Sequence, residues 1–273
     1  MNSELENIFM QVQKPGRYTG GELNSVVKDK NAVAIRFAFA FPDLYEVGMS
    51  HLGMKLLYGL LNAQEDIWCE RVFAPDTDME QQMRENGVAL FGLESREPIA
   101  DFDFIGFTLQ YELSFTTILH MLDLAGLPLR AADRGDDCPL VIGGGPCAYN
   151  PEPLAPFFDL FYIGEGETVY DALFDAYKAN KKAGGSRRDF LLAAAKIPGI
   201  YVPSLYEVTY KEDGTIASFA PTEAGVPEKV QKQLIIDMEK EYRAVEAPVV
   251  PHIEATQDRV TLEIQRGCIR GCR

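Results

Sequence analysis

The sequence has 273 residues, 47% of them hydrophobic and 25% charged, with a formal net charge of −15, enough apolar material for a sizeable core. It has no basic run longer than "KK" or "RR", no basic-then-apolar leader at "MNSELENIF", and no apolar stretch of bilayer length, since "AVAIRFAFAF" is short and carries Arg36. A cytoplasmic protein is expected, with no membrane partner and no nucleic-acid surface in these residues.

Residues 1–30 read as a short helix and an irregular lead-in around Pro15, Gly16 and Gly20-Gly21. "AVAIRFAFAF" at 32–41 reads as a strand buried on both faces and stopped by Pro42-Asp43. "PDLYEVGMS" is a turn. The helix "HLGMKLLYGLLNAQ" follows, with Leu52, Leu56 and Leu60, joined by Met49 and Leu57, as its apolar stripe. "IWCERVF" is the next strand, and "PDTDMEQQMREN" a helix opened by a Thr77–Glu80 capping box. "VALFGL" is a short strand or turn, "DFIGFTLQ" a buried strand, and "SFTTILHMLDLAG" a helix closed by Gly126. "PLVIGGGP" is a strand entering a glycine loop, "FFDLFYIG" another strand, and "ETVYDALFDAYKANKK" a helix.

Strand and helix thus alternate from residue 32 to about residue 182, within a segment bounded at 31–184. This predicts an α/β fold: a doubly wound, Rossmann-like parallel sheet whose strand ends hold ligands. Residues 185–257 read as a helix with a Ser186–Asp189 capping box and a β-rich connector containing a hairpin at Asp213-Gly214. Residues 258–273 hold an alternating strand, "RVTLEIQ", followed by "RGCIRGCR".

Several residues could carry chemistry. Gly143, Gly144 and Gly145 would let a phosphate or flat ring approach the backbone, or simply make a tight turn. Glu165 and Glu167 of "GEGE" suit a helix N-terminus, or the hydrogen-bonding wall of a pocket that would repel phosphate. His51 at a helix start reads as a cap or packing residue before a ligand. His120 reads as packing, and His252 is uninformative. Of the five cysteines, Cys69, Cys138 and Cys147 read as buried thiols. Cys268 and Cys272 stand apart, because closely spaced thiolates between glycines can grip one metal centre.

A strand followed by Arg-Gly-Cys, three residues and a second Cys resembles the opening of a radical S-adenosylmethionine (radical SAM) barrel. "LVIGGGP", "IGEGE" and "FPDLYEVGMSHLGMKLLYGLLN" are similar to the cobalamin-binding-like domain that precedes many such barrels. The resemblance implies a [4Fe–4S] cluster on C-x-x-x-C-x-x-C that reductively cleaves S-adenosylmethionine. Cys268 and Cys272 match the first two positions; the third would fall two residues beyond Arg273, so the chain reads as ending at the start of the barrel. An electron donor and an unknown substrate are the implied partners. Arg266, Arg270 and Arg273 are expected to favour the reduced cluster by their charge.

The cobalamin signature D-x-H-x-x-G is not kept: Asp43 and His51 stand at another spacing. Thr108-Leu109-Gln110 loosely echoes the S-x-L element, and Gly143-Gly144 matches. Thr108, Gly143, Gly144, Gly145 and Glu165 are therefore the candidate pocket of the sheet domain, and cobalamin stays an open cofactor. Methylthiotransferases share the cysteine loop and carry a second three-cysteine cluster, for which Cys69, Cys138 and Cys147 could be counted. A non-catalytic ligand-binding or regulatory module, and a zinc or redox dithiol at Cys268 and Cys272, are the rivals.

Overall fold

The computed structural model describes residues 2–241, 246–257, 259–267 and 269–271. A six-stranded sheet runs in the order β2-β1-β3-β4-β5-β6. Its strands are β1 (Ile35–Phe41), β2 (Ile67–Phe73), β3 (Phe104–Thr108), β4 (Leu140–Gly144), β5 (Leu160–Tyr162) and β6 (Ile200–Tyr201). The first five are mutually parallel and β6 closes the edge antiparallel to β5. Every residue of β1, β2, β3 and β5 is buried. Both faces of these strands are therefore covered, which is why they read as unbroken apolar runs rather than alternating ones.

The helices are α1 (Asn2–Phe9), α2 (Tyr45–Gly48), α3 (Leu52–Asn62), α4 (Thr77–Asn86), α5 (Phe115–Leu124), α6 (Tyr170–Ala183), α7 (Arg187–Ala194) and α8 (Met238–Glu241). No helix among the described residues is long and apolar enough to cross a membrane. On one sheet face, Phe37 and Phe104 pack edge-on or tilted against Tyr170, Phe174 and Tyr177 of α6 and Phe190 of α7. Such aromatic pairs add about 0.5–1.5 kcal/mol each beyond the area they bury. The capping box of α7 is present, with Ser186 and Asp189 bonding each other's backbone N–H.

Four local expectations are corrected. Asp76, not Thr77, caps α4, accepting the Thr77 N–H at 2.8 Å; Glu80 instead pairs with Arg84 and His120. The buried face of α3 is Met54, Tyr58 and Leu61, whereas Leu52 and Leu56 face a groove of about 500 Å³ shared with residues 248–263. The turn after β1 winds into α2. Residues 260–265 form no strand, because no strand among the described residues pairs with their backbone. The hairpin of β7 (Tyr206–Tyr210) and β8 (Ile216–Pro221) forms as expected, with Gly214 at φ 81° in its turn.

The lead-in is tied to the sheet by buried charge. Arg71 on β2 holds Glu22 with two parallel bonds of 2.9 and 2.7 Å and Glu94 with a third of 2.7 Å, all three side chains being buried. Tyr45 donates to the same Glu22 carboxylate. The guanidinium holds Glu22 below the usual carboxylate range despite its burial, whereas burial pushes Glu94 up. The planar guanidinium grips Glu22 with two parallel bonds and still has Nε for Glu94, a fixed fork that a lysine ammonium lacks.

Candidate functional site

Strand order reverses between β1 and β3, since β2 lies on one side of β1 and β3 on the other. At such a reversal the connecting loops diverge and leave a crevice at the carboxyl ends of the strands. A cavity of about 150 Å³ lies there. Strand register builds its floor. Phe39, Gly106, Ile142 and Leu160 stand side by side in one row across β1, β3, β4 and β5, and Thr108, Gly144 and Tyr162 form the next row. Side chains alternate along a strand, so both rows point to one face. Leu57 of α3 and Tyr170 and Leu173 of α6 form the roof.

Two glycines make the space for different reasons. A Cβ on Gly106 would stand 2.3 Å from the Phe37 ring, so only glycine fits under that ring. A Cβ on Gly144 would meet nothing closer than the Tyr162 carbonyl oxygen at 3.9 Å, so its missing side chain opens the cavity itself.

The predicted pocket residues divide. Thr108, Gly143, Gly144 and Gly145 line the cavity. Glu165 does not: its carboxylate accepts the Ile235 N–H at 2.7 Å and Arg266 Nη1 at 3.2 Å. Instead its neighbours Gly164 and Gly166 contribute to the lining. Sequence reasoning missed these two, together with Leu57, Tyr162 and Tyr170, because they come from the loop after β5, from two helices and from a strand, and only the packing of α3 and α6 over the sheet brings them together.

The cavity's polar edge is Thr108, Gln110 and His51. The Gln110 side-chain amide donates to Thr108 Oγ1. His51 is the N-cap of α3, its Nδ1 accepting the Met54 N–H at 3.2 Å, and its ring lies 5.5 Å from that of Phe41. Burial lowers its pKa, partly offset by a hydrogen bond to the Gln110 side chain, so the ring is neutral at neutral pH. A neutral imidazole whose Nδ1 accepts carries its proton on Nε2. Among the described residues no charged side chain lines the cavity. It therefore suits a small, flat, uncharged group and offers a phosphate no cation.

This observation tests the cobalamin that the resemblance implies. A space of 150 Å³ holds a group about the size of one benzene ring, not a corrin. Moreover, a histidine bound to cobalt through Nε2 would need its proton on Nδ1, where the Met54 N–H already points. The residues do not fit a histidine-ligated cobalamin.

Cys268, Cys272 and Arg273 lie outside the described residues. Among the described residues no group of three or more His, Cys, Asp or Glu side chains could hold a metal ion, so Cys69, Cys138 and Cys147 are not gathered into one site. Burial raises the Cys69 thiol well above its ordinary value, and with Asn62 bonding its backbone it is a core residue of β2. Arg266, two residues before Cys268, is bound through its guanidinium by Glu165, Glu167 and Glu263.

Residues 53–203 match the model of the family described as radical SAM proteins, N-terminal. The chain belongs to this radical SAM N-terminal family. The match covers β2 to β6 and the whole floor of the cavity except Phe39 of β1. The chain is also similar to an uncharacterized protein of Methanocaldococcus jannaschii, 26% identical over 131 residues, or 48% of this chain. That stretch amounts to 24% of the relative's length, so the radical SAM N-terminal chain spans about a quarter of the curated relative it matches. No solved structure matches it.

Proposed function

We propose that this chain is the N-terminal part of a radical SAM enzyme that reductively cleaves S-adenosylmethionine at a [4Fe–4S] cluster, with Cys268 and Cys272 as two of its three protein ligands. The membership of residues 53–203 in the radical SAM N-terminal family carries the reading. The order of the last residues, an alternating stretch and then Arg-Gly-Cys with a second Cys three residues on, supports it. So does the exposure of that stretch: Val260, Leu262 and Ile264 are 87%, 77% and 87% exposed. Alternating apolar residues left facing water have the pattern of a strand whose sheet partners are not among the described residues. They suit the first strand of a barrel.

In this reading residues 31–184 carry the parallel strands of the sheet domain, 185–257 add its antiparallel edge strand β6 and lead out of it, and 258–273 begin the barrel. The bound cluster would supply the electron that breaks the sulfonium, drawn from an electron-donor protein. The sheet domain's own part is to cover the site and to bind an uncharged ring in its cavity. A histidine-ligated cobalamin is not part of this reading, since His51 Nδ1 already accepts the Met54 N–H.

Anaerobic reconstitution of the full-length protein tests this. It should take up about four irons per chain with a brown chromophore, and Cys268→Ala and Cys272→Ala should each lose both. Colourless zinc binding at the same cysteines, or a cluster indifferent to both substitutions, would sink the proposal.

A further inference from the structure

The loop after β5 gathers two separate parts of the chain. Residues 164–167 take the connector on one side: the Glu165 N–H donates to the Gln233 carbonyl at 3.2 Å, and Gly164 bridges the same residue. Gly164 has φ 152°, and a Cβ there would stand 2.5 Å from the Gln233 oxygen. On the other side the loop takes the tail. Arg266 Nη1 donates to Glu165, Nη2 donates to Glu167, and Nε and Nη2 grip Glu263 in parallel bonds of 2.7 and 2.8 Å. The four side chains are all under a quarter exposed.

Upstream, the Gln257 N–H donates to Ser50 Oγ at 2.9 Å and the Thr256 N–H to the Glu46 carbonyl at 3.1 Å, so the chain before the tail is fastened just ahead of α3. The tail's apolar side chains face solvent, and residues 260–265 belong to no ladder among the described residues. Arg266 stands two residues before Cys268, and the loop that holds it contributes Gly164 and Gly166 to the cavity. Glu165 and Glu167 thus connect the cavity wall and the tail through a single side chain.

We propose that Glu165 and Glu167 are positioning residues: they latch Arg266, which stands two residues before Cys268 in the sequence, against the carboxyl edge of the sheet. The role assigned to that cysteine rests on the radical SAM reading; the latch itself rests on the contacts.

Trypsin tests the latch in residues 1–273, because the protease must take the Arg266 side chain into its own pocket and cannot while three carboxylates hold it. In Glu165→Gln/Glu167→Gln, cleavage after Arg266 should rise about tenfold relative to cleavage after Arg259, as proteolysis follows the open population. Arg266→Lys keeps a cleavable site but loses the planar fork, and should show the same rise. It serves if the double variant fails to fold. An unchanged ratio in the folded variants overturns the proposal.

In the reconstituted full-length protein the double variant should keep its iron. The change that S-adenosylmethionine produces in the electron paramagnetic resonance spectrum of the reduced cluster should be broadened or lost. A spectrum identical to wild type also overturns the positioning role. A raised tryptic ratio in a protein that takes up no iron supports the latch and overturns the radical SAM reading instead.

Discussion

At His51 the ring nitrogen that accepts the Met54 N–H is already committed to holding the start of α3. Removing it as His51→Ala should cost about 0.5–2 kcal/mol in urea unfolding, while His51→Asn, with a better capping side chain, should restore the loss. The burial-lowered pKa gives the pH dependence a definite sign. Below the ordinary value of 6.5 the unfolded chain binds a proton that the folded chain refuses. Stability therefore falls as pH drops from 6.5 toward the lowered value, and His51→Asn should flatten that slope. A wild-type slope of the opposite sign would mean that the ring is protonated in the fold and does not cap through Nδ1. The sequence allowed the cap to be read, since a polar residue stands directly before an apolar helical pattern. That the same ring also borders a cavity was not legible, because Thr108 and Gln110 reach it from another strand's end.

Among the elements, β1, β3 and β4 were legible because strands buried on both faces must be apolar throughout, and Gly and Pro mark their ends. The phase of α3 was not. That helix carries apolar residues on two sides, one against the core and one against the tail groove, and periodicity alone cannot rank them. β6 has only two residues and leaves no periodic trace. The stretch 260–265 has a strand's alternation without a ladder, because pairing is a property of two segments and only one is described. The buried charges of β2 were not legible: "IWCERVF" reads as a strand, but nothing in it shows that Arg71 fastens the lead-in through Glu22. Arg71→Leu should leave Glu22 and Glu94 buried without their cation. It should lower unfolding stability by about 3–5 kcal/mol, as removal of one partner from a buried pair does. A loss within the error of urea unfolding would show that water already reaches the two carboxylates.

For the whole molecule, the sheet and the tail make one arrangement: an uncharged cavity at the strand reversal, and beside it an arginine held by the cavity's own loop. The parallel sheet and the glycine floor could be foreseen from alternation and from "GGGP". The latch could not, because "GEGE" and "QRGC" are separated by a hundred residues, and only folding shows which carboxylates serve which cation. The account's central claim is that these residues serve a radical SAM reaction. The most direct measurement is product analysis on the reconstituted full-length protein, incubated anaerobically with S-adenosylmethionine and a reductant. The account predicts 5′-deoxyadenosine and methionine in equal amounts, both abolished by Cys268→Ala or Cys272→Ala. Intact S-adenosylmethionine recovered from protein carrying a fully loaded, reduced cluster would contradict it.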